Sequence, residues 1–212
     1  MGPNPLWLTE WLCEAMQLRP GMRVMDLGCG KAISSIFLAK EFDVEVWATD
    51  LWIKPGENWA RICEAGAQTH VTPIFADARL LPYAHGFFDA ILCVDSLIYY
   101  GTDDLYLDYL VKFVKPGCRI GMVVPGFAQD IDGTLPEHLE PFWGQDCWSW
   151  HPIEWWRQHW SRTGLVDIEC ADNMPEAWEV WRRHETEGID AQVVAEDQGR
   201  YMGIMRMVAR TT

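Results

Sequence analysis

The chain has 212 residues, of which 49% are hydrophobic, and it carries a formal net charge of −14 at pH 7. This length suits one domain with a substantial core plus an elaboration, so we expect residues 1–212 to form a single domain. The charge argues against a nucleic-acid or anionic-lipid partner, because phosphate groups bind through clustered Lys and Arg.

Cysteines and the N-terminal residues indicate the compartment. The seven cysteines stand singly, without a CxxC pair or a Cys/His cluster, which predicts reduced thiols and no metal site. No apolar run approaches the roughly 20 residues of a membrane span. The first residues, MGPNPLWLTEWL, lack the basic start of a signal peptide. We therefore expect a cytoplasmic protein without a membrane partner, while its oligomeric state stays open.

Apolar runs alternate with helical periodicity along the chain. Strands are predicted at residues 22–27, 44–50, 70–77, 87–96, 119–126, 165–172 and 201–210, and helices at residues 31–42, 57–66, 103–114, 152–164 and 173–188. Lys115-Pro116-Gly117 is expected to end the third helix and turn into the next strand. This pattern predicts an α/β fold with a doubly wound, mostly parallel sheet of seven strands.

The stretch from Val24 to Lys31, VMDLGCGK, joins the first strand to a glycine turn and then to a helix. Gly28 and Gly30 allow the chain to reverse sharply and leave bare backbone beside a ligand. The second strand ends at Asp50, twenty positions after Gly30. A carboxylate there is placed to accept both ribose hydroxyls of an adenosine cofactor.

At these residues the chain resembles the class I S-adenosylmethionine-dependent methyltransferases, whose glycine turn reads acid, hydrophobic, Gly, x, Gly, x, Gly. Asp26 to Gly30 match this turn, including Cys29, and Ala32 stands where the third Gly often lies. The resemblance covers about residues 22–127. It implies a Rossmann-like sheet with an antiparallel last strand and S-adenosyl-L-methionine as the cofactor.

The resemblance also implies roles for further residues at the ends of strands. Asp26 either reaches the ammonium group of the cofactor through water, braces the glycine turn, or caps a helix. Leu51 and Trp52 are expected to cover the adenine, although Trp52 could equally pack on a helix. The remaining cofactor candidates follow strands three and four: Asp77 and Ala78 for the adenine, and Asp95 and Ser96 for the methionine part, with Asp95 also placed to attract the acceptor.

The acceptor side is less specific. Class I enzymes often place aromatic residues after strand four, which makes Tyr99 and Tyr100 candidates, one of them expected to pack in the core. His138 and His151 are candidates for taking the acceptor proton, with a structural role as the alternative. The acids Asp130, Asp132, Glu137 and Asp146 are candidates for holding an ammonium group or keeping the loop hydrated.

Tryptophan is concentrated towards the C-terminus, with eight of the thirteen residues between Trp143 and Trp181. Residues 126–150 are predicted to be an inserted, mobile substrate lid whose Trp143, Trp148 and Trp150 form an aromatic wall. A helix within residues 1–21 is expected over the active site, where Trp7 and Trp11 would close the same pocket.

The resemblance and these residues predict a small-molecule methyltransferase, with an amine nitrogen as the favoured acceptor and no metal. The alternatives are an O- or S-methyltransferase and a non-catalytic adenosylmethionine-binding protein that uses the Trp-rich segment as an interface. A nicotinamide dehydrogenase is disfavoured, because its glycine motif would need Gly where this chain has Ile33.

Overall fold

A central sheet of seven strands organises the computed structural model, which describes residues 3–129, 131 and 133–212. The strands are β1 (Arg23–Leu27), β2 (Glu45–Asp50), β3 (Val71–Phe75), β4 (Phe88–Val94), β5 (Val114–Phe127), β6 (Val166–Asn173) and β7 (Met202–Thr211). The helices are α1 (Pro5–Met16), α2 (Ile33–Phe42), α3 (Pro55–Glu64), α4 (Tyr106–Leu110), α5 (Ile153–Ser161), α6 (Ala177–His184) and α7 (Gly188–Asp197). Short 3₁₀ turns cover Leu97–Tyr99, Val111–Phe113, Glu137–Leu139 and Gln145–Cys147.

The strand order is β3-β2-β1-β4-β5-β7-β6. β1 to β5 run parallel, and β7 lies antiparallel between β5 and β6. The predicted doubly wound sheet with an antiparallel last strand is therefore confirmed. Because parallel strands end at one edge, the glycine turn after β1, Asp50 on β2 and Asp95 after β4 come to the same side of the sheet.

Some predicted elements have different bounds. The structure contains one helix that the sequence analysis did not predict, α7. This segment is mostly polar and buries only two apolar side chains, Val193 and Val194, so its helical pattern is weak. β6 continues to Asn173, so the helix expected at residues 173–188 shortens to α6. Lys115-Pro116-Gly117 lies inside β5 rather than before it, where a register shift against β4 accommodates Gly117 at φ +74°.

Helix α1 packs against α2, β4, β5 and β7. A Cβ at Gly121 of β5 would lie 2.3 Å from the sulfur of Met16, so the helix approaches the sheet closely. Arg206 of β7 donates to the carbonyl of Trp11 at 2.6 Å, and its guanidinium lies over the Trp11 ring. One face of the Trp11 ring thus contacts this arginine, and Trp7 lies beside His184. Closure of a pocket by Trp7 and Trp11 stays a prediction.

Residues 126–150 form a loop whose two ends meet. A Cβ at Gly126 would lie 2.5 Å from the carbonyl oxygen of His151, so the chain leaves β5 and returns to the same place. Asp130 and Asp132 lie outside the described residues. The two ends of the segment therefore lie in contact with each other. Its mobility over an acceptor stays a prediction.

The tryptophans of this segment divide into packed and exposed side chains. Trp150 is buried against Phe127 and Phe142 of its own segment and Trp181 of α6, and Trp143 stacks on Phe127 at 5.8 Å. Trp148 is 67% exposed. Trp150 is therefore a core residue and not part of an acceptor wall, because β5 and α6 bring aromatic partners that are distant in sequence.

We expect Trp150→Ala to lower the free energy of unfolding by about 3–5 kcal/mol, because it empties a packed aromatic cluster. Trp148→Ala, the exposed control in the same segment, should change it by no more than about 0.5 kcal/mol. Urea denaturation of both variants measures this difference. Equal losses in the two variants would contradict the division between packed and exposed rings.

Candidate cofactor and acceptor site

The carboxylate of Asp50 bonds to two loops of the candidate site, the glycine turn after β1 and the loop after β2. Its Oδ2 accepts a hydrogen bond from the backbone N–H of Gly30 at 2.9 Å. Its Oδ1 accepts from the backbone N–H groups of Trp52 at 2.7 Å and Ile53 at 2.8 Å. The side chain thereby fixes the glycine turn after β1 relative to the loop after β2.

These bonds change what Asp50 can offer to a ribose. A carboxylate provides about four lone-pair sites, and three of them are used by the backbone. One site remains on Oδ2, so two ribose hydroxyl bonds to this side chain would require one of the backbone bonds to be shared or released. Asp50 therefore builds the site as well as being a candidate for contact with the cofactor.

Gly28 and Gly30 have different physical roles. Gly28 has φ +76°, and a Cβ there would lie 2.3 Å from the Cβ of Ser96. Gly30 has φ +52°, and no described atom lies within 4 Å of its Cβ position. A side chain at Gly28 would point at Ser96, whereas one at Gly30 would face open space. Contact of either glycine with the cofactor stays a prediction.

The backbone of the glycine turn is bonded to β2. The N–H groups of Gly28 and Cys29 donate to the carbonyl of Thr49 at 2.8 and 3.2 Å, so they are directed at β2. The Cys29 thiol is buried, and burial raises its pKa well above the usual value. Asn58 of α3 donates to the carbonyl of Gly30 at 2.9 Å. Contact between Cys29 and a cofactor stays a prediction. Its backbone N–H is already bonded to Thr49 and its thiol is buried.

Asp26 braces the start of α2. Its Oδ2 accepts hydrogen bonds from Ser34 and Ser35, each at 2.6 Å. Its Oδ1 is buried without a hydrogen-bond partner among the described residues, and burial raises the pKa of this carboxyl to about 6. Ala32, at the position of the third family glycine, is buried in the left-handed region at φ +59°, so its methyl group faces the interior.

Ser96 and Tyr100 hold the turn after β4 to the end of β1. The Ser96 hydroxyl and the Tyr100 hydroxyl both donate to the carbonyl of Leu27, at 2.7 and 3.2 Å, and lie 2.9 Å apart. Both side chains are buried. Tyr100 is therefore wrong as an acceptor-facing candidate and is the tyrosine of the pair that packs in the core. Ser96 likewise joins the turn after β4 to the end of β1, and its contact with the methionine part of a cofactor stays a prediction.

Tyr99 faces the opposite way and is 37% exposed. Its ring lies edge-on to Trp52, with 4.9 Å between ring centroids, and Trp52 is 70% exposed. Arg79 donates to the Tyr99 carbonyl at 2.8 Å. Leu51 beside Trp52 is also exposed. Tyr99, Trp52 and Leu51 form an apolar rim at the ends of β2 and β4.

Asp95 follows β4, is partly exposed, and has Asp146 of the segment 126–150 as an electrostatic neighbour. Its backbone is in the left-handed region at φ +52°, which Asp and Asn adopt more readily than most residues. No described group donates a hydrogen bond to its carboxylate, although its backbone N–H donates to Val123 of β5 at 2.8 Å. Burial raises the pKa of Asp95 to about 7, the charge of the chain's N-terminal ammonium opposes this rise, and Asp146 adds to it.

Burial also raises the pKa of Tyr99 to about 12, with Asp146 and Asp95 as further causes. These electrostatic effects place the Tyr99 hydroxyl and the two carboxylates in one neighbourhood. The region is acidic and aromatic, and Asp95 is its most buried carboxylate. A cation would be stabilised there.

The segment after β3 keeps its own turn. Asp77 Oδ1 accepts from the backbone N–H of Arg79 at 2.8 Å, and Tyr106 of α4 donates to the Ala78 carbonyl at 3.0 Å. The side chain of Asp77 is part-exposed, so one oxygen stays accessible. Recognition of an adenine amino group by Asp77 and Ala78 stays a prediction.

The two histidine candidates have structural partners. His138 Nε2 lies 2.8 Å from Asp197 Oδ1, and both side chains are buried; Asp197 also accepts from the backbone N–H of Met202. His138 therefore bonds the segment 126–150 to α7 and does not offer a free base, which corrects the expected catalytic role. His151 stacks on Trp155 at 3.7 Å between ring centroids.

No group of three His, Cys, Asp or Glu side chains in the described part of the chain is arranged to hold a metal ion. No helix within the described ranges is long and apolar enough to cross a membrane.

Comparison with known proteins decides the family. Residues 24–117 match the family model of a methyltransferase domain. Over residues 24–117 the chain carries a methyltransferase domain. Its relatives and structural neighbours support the class I S-adenosylmethionine-dependent type, and solved methyltransferases of this fold are in complex with S-adenosylmethionine.

Relatives of the methyltransferase domain are distant. Methyltransferase GfsG of Streptomyces halstedii is 29% identical over 61% of this chain and 48% of that protein. Phosphoethanolamine N-methyltransferase 1 of Arabidopsis thaliana is 24% identical over 82% of this chain and 35% of that protein. The chain spans about half or less of the length of these relatives.

Solved structures share the fold at lower identity. Geranyl diphosphate C-methyltransferase from Streptomyces coelicolor superposes with a TM-score of 0.80 at 16% identity, covering 98% of this chain and 78% of that one. This likeness confirms the Rossmann-like architecture of the methyltransferase domain and leaves its acceptor open.

Sequence reasoning missed residues that act on the backbone of the site. Arg79 holds the Tyr99 carbonyl, Asn58 holds the Gly30 carbonyl, and Ser34 and Ser35 satisfy Asp26. Asn58 lies on α3, the helix that follows Asp50, and this position is the one local signal for its role. The partners of Arg79 depend on the tertiary fold, so no local pattern indicates them.

We expect Gly30→Ala to weaken adenosylhomocysteine binding while costing about 1–2 kcal/mol of stability, because its methyl group enters the open space and its backbone is left-handed. Gly21→Ala is the matched control: it also has positive φ and open space, but lies before β1 at the other edge. Gly28→Ala should instead destabilise the fold through Ser96. Calorimetric affinity and urea denaturation of the three variants separate these effects, and equal affinities for Gly30→Ala and Gly21→Ala would contradict the assignment.

Proposed function

We propose that the domain transfers a methyl group from S-adenosylmethionine to an amine nitrogen of a small molecule. The observation that carries this proposal is the partly exposed carboxylate of Asp95, which accepts no hydrogen bond from the described residues and lies near Asp146 and Tyr99. Loss of hydration without a compensating hydrogen bond is costly for a carboxylate. An ammonium group would offset this cost by pairing with it.

The cofactor would be held by the residues at the ends of β1, β2 and β3. Gly30 leaves room for close approach, Asp50 keeps an acceptor site on Oδ2, and Trp52 and Leu51 offer an apolar surface. Asp77 would accept from the adenine amino group. These residues fit an adenosine group, since the carboxylates supply acceptors and the exposed rings supply a face for stacking.

Asp95 would perform two tasks at the acceptor. Its carboxylate would orient the ammonium group beside the Tyr99 ring, where a cation is also attracted by the aromatic face. It would then take a proton from the ammonium, which leaves a nitrogen lone pair for attack on the electrophilic methyl group that the cofactor supplies. A pKa of about 7 suits this proton transfer near neutral pH.

The names of the relatives include an N-methyltransferase and a C-methyltransferase, so relationship alone does not choose the acceptor atom. The acidic environment of Tyr99 supports nitrogen. An oxygen or sulfur acceptor would have to lose its proton and become anionic beside Asp95 and Asp146, which like-charge repulsion disfavours.

The test incubates the protein with S-adenosylmethionine and a panel of small primary amines, alcohols and thiols. Amines should yield adenosylhomocysteine and a product heavier by one methyl group, and activity should rise as pH increases through about 7, where Asp95 ionises. Methylation of alcohols or thiols without amines would overturn the assignment of nitrogen.

We expect Asp95→Asn to lower kcat/KM for the amine at least tenfold and to abolish the rise near pH 7, with adenosylhomocysteine affinity nearly unchanged. Asn tolerates the left-handed backbone at this position, so the fold should be retained. Asp43→Asn, at a left-handed residue on the opposite edge of the sheet, is the control. An Asp95→Asn enzyme with wild-type kinetics would contradict the role of this carboxylate.

A further inference from the structure

The turn after β4 is built tightly around Gly101. The backbone N–H of Gly101 donates to the carbonyl of Leu97 at 2.6 Å. A Cβ at Gly101 would lie 2.4 Å from the Leu97 side chain and 2.8 Å from its carbonyl oxygen. Residues 96–101 therefore form a compact unit that carries the exposed ring of Tyr99.

Helix α5 contacts this turn through one buried imidazole. His159 Nε2 lies 3.2 Å from the Gly101 carbonyl oxygen, and His159 Nδ1 lies 3.1 Å from an Nη2 of Arg162. A guanidinium can only donate and a carbonyl can only accept. Nδ1 must therefore be the acceptor and Nε2 must carry the hydrogen, so the two neighbours together select one neutral tautomer.

Aromatic stacking fixes the plane of the same imidazole. The His159 and Trp155 rings are 17° from parallel with 4.5 Å between centroids. The His151 ring lies on Trp155 at 3.7 Å and 13°. Three stacked rings thus run from the base of the segment 126–150, where His151 meets Gly126, to the turn that carries Tyr99.

The charged groups around His159 favour its neutral form. Burial lowers the pKa of His159, and the Arg162 guanidinium acts in the same direction. Asp104 opposes this effect with an oxygen 3.8 Å from Nδ1, but it is exposed and already paired with Arg162. The carbonyls of Gly101 and Asp103 also raise the pKa of His159, but the net shift is downward.

We propose that His159 is a positioning residue for methyl transfer: its Nε2–H holds the Gly101 carbonyl, and Arg162 enforces the tautomer that makes this bond. The consequence is a fixed orientation of Tyr99 and Asp95 at the acceptor. This inference rests on the proposed function, because it takes these two residues to lie beside the acceptor. His159 itself does not touch substrate or cofactor.

Two substitutions separate the bond to Gly101 from the bond to Arg162. His159→Gln places an amide nitrogen near the position of Nε2 and keeps a donor for Gly101. His159→Asn places its amide near Nδ1, keeps an acceptor for Arg162 and loses the donor to Gly101. Both remove the stacked ring, so their comparison cancels that loss.

We expect His159→Asn to lower kcat/KM for the amine acceptor at least tenfold, because small misplacements of reacting groups are costly. His159→Gln should recover most of this activity, and both variants should keep wild-type affinity for adenosylhomocysteine. Equal activities in the two variants, or a parallel loss of adenosylhomocysteine affinity, would overturn the proposal.

Two measurements without an acceptor keep this proposal separate from the proposed function. Nitrogen NMR of ¹⁵N-histidine-labelled protein at pH 7 should show His159 protonated at Nε2 only. Hydrogen exchange of the Tyr99, Tyr100 and Gly101 amides should be faster in His159→Asn than in His159→Gln. Protonation at Nδ1, or equal exchange in the two variants, would overturn the positioning role even if the wild-type protein methylates amines. Failure to methylate any amine, with the expected tautomer and exchange, would count against the proposed function alone.

Discussion

The carboxylate of Asp50 is the interaction on which the site depends. It accepts three backbone N–H groups from two loops that are twenty residues apart, and it is almost fully buried. Bonds from N–H groups to a charged acceptor are stronger than neutral ones, at about 1.5–3 kcal/mol each. This side chain ties the glycine turn to the loop of Trp52, together with the bonds from Gly28 and Cys29 to Thr49 and from Asn58 to Gly30. We expect the position of the cofactor to depend on it.

A second set of bonds continues the same edge from β1 to β4. The Leu27 carbonyl accepts from Ser96 and Tyr100, and Gly28 is bare because Ser96 occupies the adjacent space. Hydrogen bonds therefore connect the carboxyl ends of neighbouring parallel strands. Side chains at these ends that do not make such bonds remain available for a ligand. Among these groups, Asp95 has a carboxylate that accepts no hydrogen bond from the described residues and a raised pKa, which makes it a candidate functional residue.

The sequence predicted the sheet, the glycine turn and the place of Asp50 at the end of β2, because each has a local signal: alternating patterns, paired glycines and an acid at a fixed spacing. The three backbone bonds of Asp50 had no such signal, and its contact with a ribose stays a prediction. The sequence did not predict whether a given side chain would be buried or would point towards the candidate site. Tyr99 and Tyr100 are adjacent, yet only the fold shows that the Tyr100 hydroxyl bonds to Leu27. Trp150 and His138 were misjudged for the same reason, since Trp181 and Asp197 are distant in sequence. His159 carried no motif, and its importance depends on Gly101 and Arg162 meeting it in space.

Calorimetric titration of adenosylhomocysteine into wild-type, Asp50→Asn and Asp43→Asn proteins tests the central claim most directly. Asn at position 50 keeps the size of the side chain but removes the charge and one acceptor oxygen. The account predicts at least a tenfold loss of affinity for Asp50→Asn and none for Asp43→Asn, in proteins whose circular dichroism shows that they are folded. Unchanged affinity in a folded Asp50→Asn protein would contradict the claim that this carboxylate builds the cofactor site.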